Sequence, residues 1–285
     1  MIGYDRLGTN GRLGNQMFQY ASLRGIAANN NLEFCIPPLD TPTYANYGLF
    51  DCFKLPNVKH TGLIGQAPTG FAPTAGSLDE PGFEFDEELF NNCPDNVNID
   101  GYRQSEKYFK HIEDSIREDY QFKDEIYQPC KEMIDSLGDG RKIFLHIRRG
   151  DPKLPWAYVN LENAHPLQTW EYYGEALKQF PEDIPVLVFS DVIEWCQEQE
   201  FFESDRFIMS ETKEEFADGQ RVPWTDLCLM SLCTDAIIAN SSYSWWGAWL
   251  IDNPDKKVVA PKNWFGKQFD HYNMGDLIPE GWIQL

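Results

Sequence analysis

The strongest candidate for a reactive site is a group of polar residues that follows a short apolar run. Lys142–His146 (KIFLH) has the length and composition of a buried strand, and Arg148, Arg149 and Gly150 come soon after it. Strand alternation puts His146 and Arg148 on one side of the chain and Arg149 on the other. Two guanidinium groups beside a glycine suit a diphosphate, because arginine offers planar, bidentate and permanently charged donors. The alternative is that the arginines neutralise nearby acidic residues.

Two other segments have the form of a turn that opens a helix. Gly11–Gln16 (GRLGNQ) could present backbone N–H groups to an anion. Its spacing matches neither the dinucleotide fingerprint nor the P-loop, so a ligand contact and an ordinary tight turn both remain open. The second segment follows the strand-like run Asp235–Ala239 and supplies Asn240, Ser241, Ser242 and Tyr243. Its hydroxyl and N–H groups could bind phosphate, and Ser242 or Ser244 could equally cap a helix.

Several polar and aromatic residues keep two interpretations each. Asp226 stands where a helix begins, so it could cap that helix or reach a base edge or ribose. The segment Gly101–Phe109 (GYRQSEKYF) mixes hydrogen-bonding and aromatic residues as carbohydrate sites do, but it could equally be a solvated helix start. The aromatic cluster Trp245, Trp246 and Trp249 is better explained as core than as a platform for a sugar.

The C-terminal half alternates strand-like and helix-like segments, which predicts a parallel sheet of βαβ units. The strand-like runs are 142–146, 185–190, 206–209, 235–239 and 257–260, and the helical patterns between them are 167–180, 192–201, 225–233 and 244–251. Ligands of such sheets bind at the carboxyl ends of the strands, where His146–Gly150 and Asn240–Tyr243 would lie. The N-terminal half predicts a strand, a glycine turn and a helix from about residue 16 to 29, then long loops over 37–100 and helices near 106–120 and 123–137.

Composition excludes several classes of partner. The chain has 285 residues, with 42% hydrophobic and 14% aromatic residues, which is enough for two domains with substantial cores. Its formal net charge of −21 argues against nucleic acid and anionic membranes as partners. No apolar stretch is long enough to span a membrane, and no signal peptide is evident, so we expect a cytoplasmic protein without an integral membrane segment.

Missing motifs limit the chemistry further. There is no Asp-x-Asp among the 45 acidic residues, so we expect arginines and backbone dipoles, not a metal ion, to neutralise a bound diphosphate. No zinc-type spacing, H-E-x-x-H or G-x-S-x-G occurs, which disfavours metalloenzymes and hydrolases. The seven cysteines are scattered without a C-x-x-C pair, so we expect them to be buried or idle thiols.

Taken together, six segments resemble the α-1,2-fucosyltransferases of glycosyltransferase family 11. They are GRLGNQMFQYA, GYRQSEKYF, HIRRGD, FSDVIEWC, DLCLMSLCTDAIIANSSYSWWGAWL and APKNWF, and they run in order through nearly the whole chain. The resemblance implies an α/β GT-B fold, in which two Rossmann-like domains, here 1–130 on the acceptor side and 131–285 on the donor side, face a cleft. It implies metal-independent, inverting transfer of L-fucose from GDP-β-L-fucose to the 2-hydroxyl of a terminal galactoside, without a cofactor.

The resemblance also implies roles for individual residues. Arg148 would contact the β-phosphate and stabilise the leaving GDP, with Arg149 and Asp151 in the same motif. Asp151 would orient Arg148 or help to deprotonate the acceptor. His146 and Asp226 would lie near the guanosine. The remaining donor-side residues would be Gly14, Asn15, Asn240, Ser241, Ser242 and Tyr243, and the acceptor side would include Arg103, Gln104 and Trp156.

This sequence departs from the family pattern on the acceptor side. Arg103 stands where the family often has Trp, and Pro152 stands where an aromatic residue often follows Asp151. The segment 152–165 would form part of the acceptor wall. A general base stays unassigned. Two alternatives also stay open: the same fold with another donor or acceptor linkage, and a non-enzymatic protein that binds nucleotide sugars or glycans.

Overall fold

The computed structural model describes residues 1–9, 11–39, 48–64, 77–78, 82–150, 164–210 and 222–285. These residues form two compact units, each with its own parallel sheet. The first unit comprises 1–123 and 272–279, and the second comprises 124–271 and 280–285. The sequence placed the boundary at 130 and gave the C-terminus wholly to the second domain. In the structure 124–130 lies with the second unit, and 272–279 returns to the first.

The first unit contains a four-stranded parallel sheet with the order β2-β1-β4-β3. Its strands are β1 Ile2–Gly3, β2 Phe34–Cys35, β3 Ser77–Leu78 and β4 Asn98–Ile99. Its helices are α1 Leu13–Asn29, α2 Leu49–Cys52, α3 Glu87–Asn92 and α4 Glu113–Asp119, with 3₁₀ turns at Glu106–Tyr108 and Lys110–Ile112. The sequence predicted long loops over 37–100, but this range supplies β3 and β4, because strands of two residues leave no periodic pattern.

Helix α1 is buried on nearly all sides, so its polar residues bond to the protein interior. The Gln19 amide donates to the Gly101 carbonyl over 3.1 Å, and the Ser22 hydroxyl donates to the Arg103 carbonyl over 3.0 Å. A Cβ at Gly25 would lie 1.8 Å from the Tyr108 carbonyl oxygen, so only glycine permits this close approach. Helix α1, which the glycine turn opens, therefore packs against the Gly101–Phe109 segment in one unit.

The second unit contains a six-stranded parallel sheet with the order β10-β9-β8-β5-β6-β7. Its strands are β5 Ile143–Ile147, β6 Val186–Ser190, β7 Phe207–Met209, β8 Asp235–Ile237, β9 Val258–Ala260 and β10 Ile283–Gln284. Its helices are α5 Asp124–Ser136, α6 Trp170–Leu177, α7 Ile193–Gln197, α8 Pro223–Leu232 and α9 Ser242–Leu250. The predicted βαβ alternation is confirmed. Only β10 lacked a counterpart in the sequence prediction.

The strand order of this sheet is that of a Rossmann fold. With β5 as the first strand, the chain adds β6 and β7 on one side, then crosses to add β8, β9 and β10 on the other. The order in which the chain adds strands to the sheet therefore reverses between β5 and β8, although the strands remain parallel. Nucleotides bind such sheets in the crevice outside the carboxyl ends of the strands at that point. His146–Gly150 and Asn240–Tyr243 leave the sheet on either side of it. All seven cysteines are free and buried, as predicted, and the three tryptophans at 245, 246 and 249 are core residues.

Candidate functional site

Asp191 fastens the turn that follows β5. This residue comes directly after β6, the neighbouring strand, and its carboxylate forms an ion pair with the Arg148 guanidinium. The same carboxylate accepts from the backbone N–H of Arg149 over 3.0 Å and of Gly150 over 2.9 Å. Gly150 adopts a positive φ of 81°, a conformation that glycine reaches without strain. One carboxylate therefore fixes both the path of the turn and the direction of Arg148.

Arg149 is held by an aromatic stack. Its guanidinium carbon lies 3.7 Å from the centre of the Trp195 ring. Trp195 stacks on Trp170, with ring centres 5.6 Å apart and an interplanar angle of 5°, and Trp170 stacks on Phe201 at 4.7 Å. A cation over a tryptophan face is attracted by the negative π surface. The two neighbouring arginines are thus oriented by different contacts, Arg148 by the Asp191 carboxylate and Arg149 by the Trp195 ring.

His146 is a neutral side chain in the interior of this site. Only 4% of the residue is exposed, and its Nδ1 atom has no hydrogen-bond partner among the described residues. Burial lowers the pKa of His146 to about 4, with a smaller opposing effect from Asp191 and a small further lowering by Arg148. Its ring lies 5.8 Å from that of Tyr243, at 55°. The Tyr243 hydroxyl donates to the Pro223 carbonyl, so this ring links β5 to the start of α8.

The segment after β8 serves partly as scaffold. The Asn240 amide donates to the carbonyls of Pro166 and Trp264, each over 2.9 Å. Ser241 is the N-cap residue of α9, and its side chain makes no capping bond among the described residues. Ser244 does not cap either, since its hydroxyl donates to the Ser241 and Ala239 carbonyls. Asn240 therefore ties two loops together, while Ser241–Tyr243 bring the positive end of the α9 dipole to the edge of the sheet.

Asp226 lies in the first turn of α8 and is 9% exposed. Its carboxylate accepts from the Ser210 hydroxyl over 2.6 Å. Because Tyr243 bonds to Pro223 in the same turn, the second unit gathers His146, Tyr243 and Asp226 around the β5–β8 reversal. Of the predicted donor-side residues, those on β5, β8, α8 and α9 thus converge within this one unit.

The first unit brings two further predicted residues into contact. The Gln104 amide donates to the Asn15 carbonyl oxygen over 2.9 Å, beside the buried Gly14. Gly11 has a φ of 87°, and a Cβ there would lie 2.4 Å from the Asn15 amide, so the glycine keeps this side chain in place. The structure corrects the prediction that Arg103 lies on the acceptor side. It is completely buried, with its Nε donating to the Asp100 carbonyl and its guanidinium 3.6 Å from Asp86, so it is scaffold and not an acceptor contact. Asp151 and Trp156, with most of the 152–165 segment, lie outside the described residues.

The comparisons with known proteins point to one enzyme family. The family model described as glycosyl transferase family 11 matches residues 84–285. An α-1,2-colitosyltransferase of Escherichia coli is 31% identical over 96% of both chains. The chain belongs to glycosyltransferase family 11.

Two other comparisons extend this family 11 assignment. The human galactoside α-(1,2)-fucosyltransferase 1 is 26% identical over 85% of this chain, and the match spans 64% of the human protein. The NodZ α-1,6-fucosyltransferase, in a crystal soaked with GDP-fucose, covers 96% of this chain and is covered over 98% of its own length, with a TM-score of 0.53 and 15% identity. At that identity the likeness to NodZ concerns the fold alone.

Three functional candidates in this family 11 glycosyltransferase were missed in the sequence: Asp191, Trp195 and Trp170. FSDVIEWC was recognised as a family segment, but nothing in its spacing showed that β6 lies beside β5 and places its polar residues against the arginines. In the part of the chain that the structure describes, no group of three His, Cys, Asp or Glu residues is arranged to hold a metal, and no helix is both long and apolar enough to cross a membrane.

Proposed function

We propose that this family 11 glycosyltransferase transfers L-fucose from GDP-β-L-fucose to the 2-hydroxyl of a terminal galactoside, with inversion and without a metal ion. The observation that carries the proposal is the arrangement at the β5–β8 reversal of the second sheet. Arg148, fixed by Asp191, and the start of α9 stand at the two strand ends that border the crevice. In the GT-B arrangement that we infer, this unit is the donor domain.

The positive groups at the carboxyl ends of β5 and β8 suit a diphosphate. Arg148 and Arg149 supply permanent charge from one strand end, and Ser241–Tyr243 supply a helix start from the other. The surrounding protein is strongly acidic, with a net charge of −21, so the two arginines form a local basic cluster that opposes the overall field, and Asp191 offsets one of their two charges. Such a cluster is useful where a multiply charged anion must bind.

The guanosine would lie towards His146, Tyr243 and Asp226. The rings of His146 and Tyr243 provide a mostly apolar wall, since burial keeps the imidazole neutral at physiological pH. A carboxylate such as that of Asp226 can accept from the N1–H and amino groups of guanine, and adenine has no N1–H to offer. We therefore expect GDP to bind more tightly than ADP.

Negative charge develops during the reaction on the β-phosphate oxygen, which we place beside Arg148. The acceptor hydroxyl oxygen forms a bond to the anomeric carbon of the donor as the bond from that carbon to the β-phosphate oxygen breaks. The phosphate oxygen takes the bonding electron pair, the acceptor hydroxyl releases its proton to solvent water, and attack from the opposite face inverts the configuration. A guanidinium held in advance stabilises the new phosphate charge more in the transition state than in the bound donor, which accelerates the step.

A second donor is favoured by one specific comparison. The E. coli relative that matches 96% of this chain is named an α-1,2-colitosyltransferase. Colitose is 3-deoxyfucose, so the two GDP-sugars share the groups that the β5–β8 crevice would bind. Transfer of colitose from GDP-colitose, with the same α-1,2 linkage, is therefore the alternative.

A donor panel tests the proposal. The purified protein would be incubated with GDP-fucose, GDP-colitose, GDP-mannose or UDP-galactose, each with lactose and with N-acetyllactosamine, and products would be identified by mass spectrometry and NMR. We expect a fucosylated product linked α-1,2 to galactose. A product only from GDP-colitose would establish the alternative, and a product only from GDP-mannose or UDP-galactose would overturn both.

A further inference from the structure

A pocket of about 260 Å³ lies beside Arg148 and Arg149 in the second unit. Its walls come from the end of β5, from 167–170 at the start of α6, and from Tyr173 and Trp195. The volume equals that of about nine water molecules, which is more than a phosphate group fills. It is slightly below the usual range of roughly 300–1,000 Å³ for drug-sized ligands, so one compact ring suits it.

The pocket borders the arginines proposed for the diphosphate, but it lies on the opposite face of β5 from the residues proposed for guanosine. Ile147 follows His146 on the strand, so their side chains point to opposite faces of the sheet. The pocket is on the Ile147 face, which carries α6, whereas His146 contacts Tyr243 of α9. Arg148 and Arg149 therefore border both the proposed diphosphate site and this pocket.

The polar walls of the pocket are held in place before any ligand arrives. The Gln168 amide donates to the Asn263 carbonyl over 3.0 Å, and the Thr169 hydroxyl accepts from the Tyr172 N–H over 3.2 Å. The Tyr173 hydroxyl donates to the His146 carbonyl over 3.2 Å. Groups that are already oriented lose little entropy on binding, which favours a specific ligand.

The remaining walls are apolar and accessible. Leu167 and Trp170 are each 39% exposed, although both side chains are large and hydrophobic. A pyranose ring presents a C–H face that suits such walls and a rim of hydroxyls that suits Arg149 and Gln168. We propose that this pocket is a pyranose subsite for one of the two sugars of the reaction, next to the proposed diphosphate site and on the opposite face of β5 from the residues proposed for guanosine.

The inference rests on the proposed function in taking both substrates to carry sugars. The ring would belong either to the transferred deoxyhexose or to the acceptor glycan, and both are pyranoses beside the breaking bond. Leu167→Arg places a long cation in the pocket from an exposed position. Ser136→Arg is the matched control, because Ser136 is exposed at the end of α5 and precedes the amino end of β5.

The experiment compares wild type with both variants by calorimetry with GDP and GDP-fucose, by steady-state kinetics with lactose, and by saturation-transfer NMR with lactose alone. We expect Leu167→Arg to bind GDP as wild type does. A Kd for GDP-fucose raised about tenfold or more would assign the transferred sugar to the pocket. A similarly raised KM for lactose, with its saturation-transfer signal lost, would assign the acceptor instead.

Two results would overturn the inference. One is unchanged GDP-fucose and lactose binding in Leu167→Arg, which would show that neither sugar occupies the pocket. The other is equally weakened binding of GDP and GDP-fucose, which would give the pocket to the nucleotide. The NMR arm needs no turnover, so loss of lactose binding in a protein that transfers no sugar would support the pocket while removing the proposed function.

Discussion

Asp191 and Arg148 lie at the ends of adjacent parallel strands, and the carboxylate of the first holds the guanidinium of the second. The same carboxylate accepts from two backbone N–H groups of the turn that carries Arg148. A charge that must meet a developing phosphate charge is most effective when its position is already fixed. Arg148 and the Asp191 carboxylate thus act as one pair, although they are separated by 43 residues in sequence.

The first prediction concerns the Asp191–Arg148 pair. Asp191→Asn keeps the shape of the side chain but removes the charge that orients Arg148, so kcat should fall on the order of 10²-fold, as for a misplaced catalytic group. The KM for the donor should change much less. Asp252→Asn, at an exposed position after α9, is the control and should keep wild-type kinetics. Wild-type kcat in a folded Asp191→Asn protein would remove Asp191 from the account.

Arg148 itself should have a larger effect. Arg148→Ala removes the guanidinium that we place at the β-phosphate, so turnover should fall by about 10³-fold or more while the fold is retained. Arg148→Lys should recover only part of the loss, because an ammonium group cannot bind two oxygens in the planar geometry of arginine. Turnover would be measured with circular dichroism of each variant, and Arg117→Ala on α4 would serve as the control. Near-normal turnover in Arg148→Ala would exclude the proposed role.

Trp195 should act through Arg149. Trp195→Leu removes the ring under the guanidinium, and we expect the KM for the donor to rise roughly fivefold, as the loss of one cation–π contact implies. Trp195→Phe keeps an aromatic face and should recover much of the affinity. Equal effects of the two substitutions, measured by steady-state kinetics, would show that the residue only fills space.

His146 makes stability depend on pH. Burial lowers its pKa to about 4, whereas the ordinary value is 6.5. Between these values the unfolded chain binds a proton that the folded protein does not, so the free energy of unfolding decreases as pH falls through this window. Denaturant unfolding from about pH 7.5 to about pH 5 should show an excess loss of about 2 kcal/mol in wild type over His146→Gln. The acidic groups titrate in both proteins, and parallel pH profiles would show that His146 does not have the lowered pKa.

The sequence predicted the site where local patterns carry the information. Lys142–His146 is a mostly apolar run that is followed by Arg148 and Arg149, so the strand end and its arginines could be recognised without the fold. Asp191 could not be recognised in this way, because its role depends on β6 lying next to β5, which is a non-local property. Arg103 shows the opposite error: it is polar within a carbohydrate-like segment, yet it is completely buried and its Nε donates to the Asp100 carbonyl. Asn240 is similar, since only tertiary structure shows that its amide joins two loops.

The most direct test of the central claim is GDP release from GDP-fucose in excess EDTA, with and without lactose. We predict that lactose stimulates release and that fucose appears on the galactose 2-hydroxyl while the chelator is present, since arginines and the start of α9 replace a metal ion. Strict dependence on added Mn²⁺, or the absence of both release and GDP binding, would contradict it.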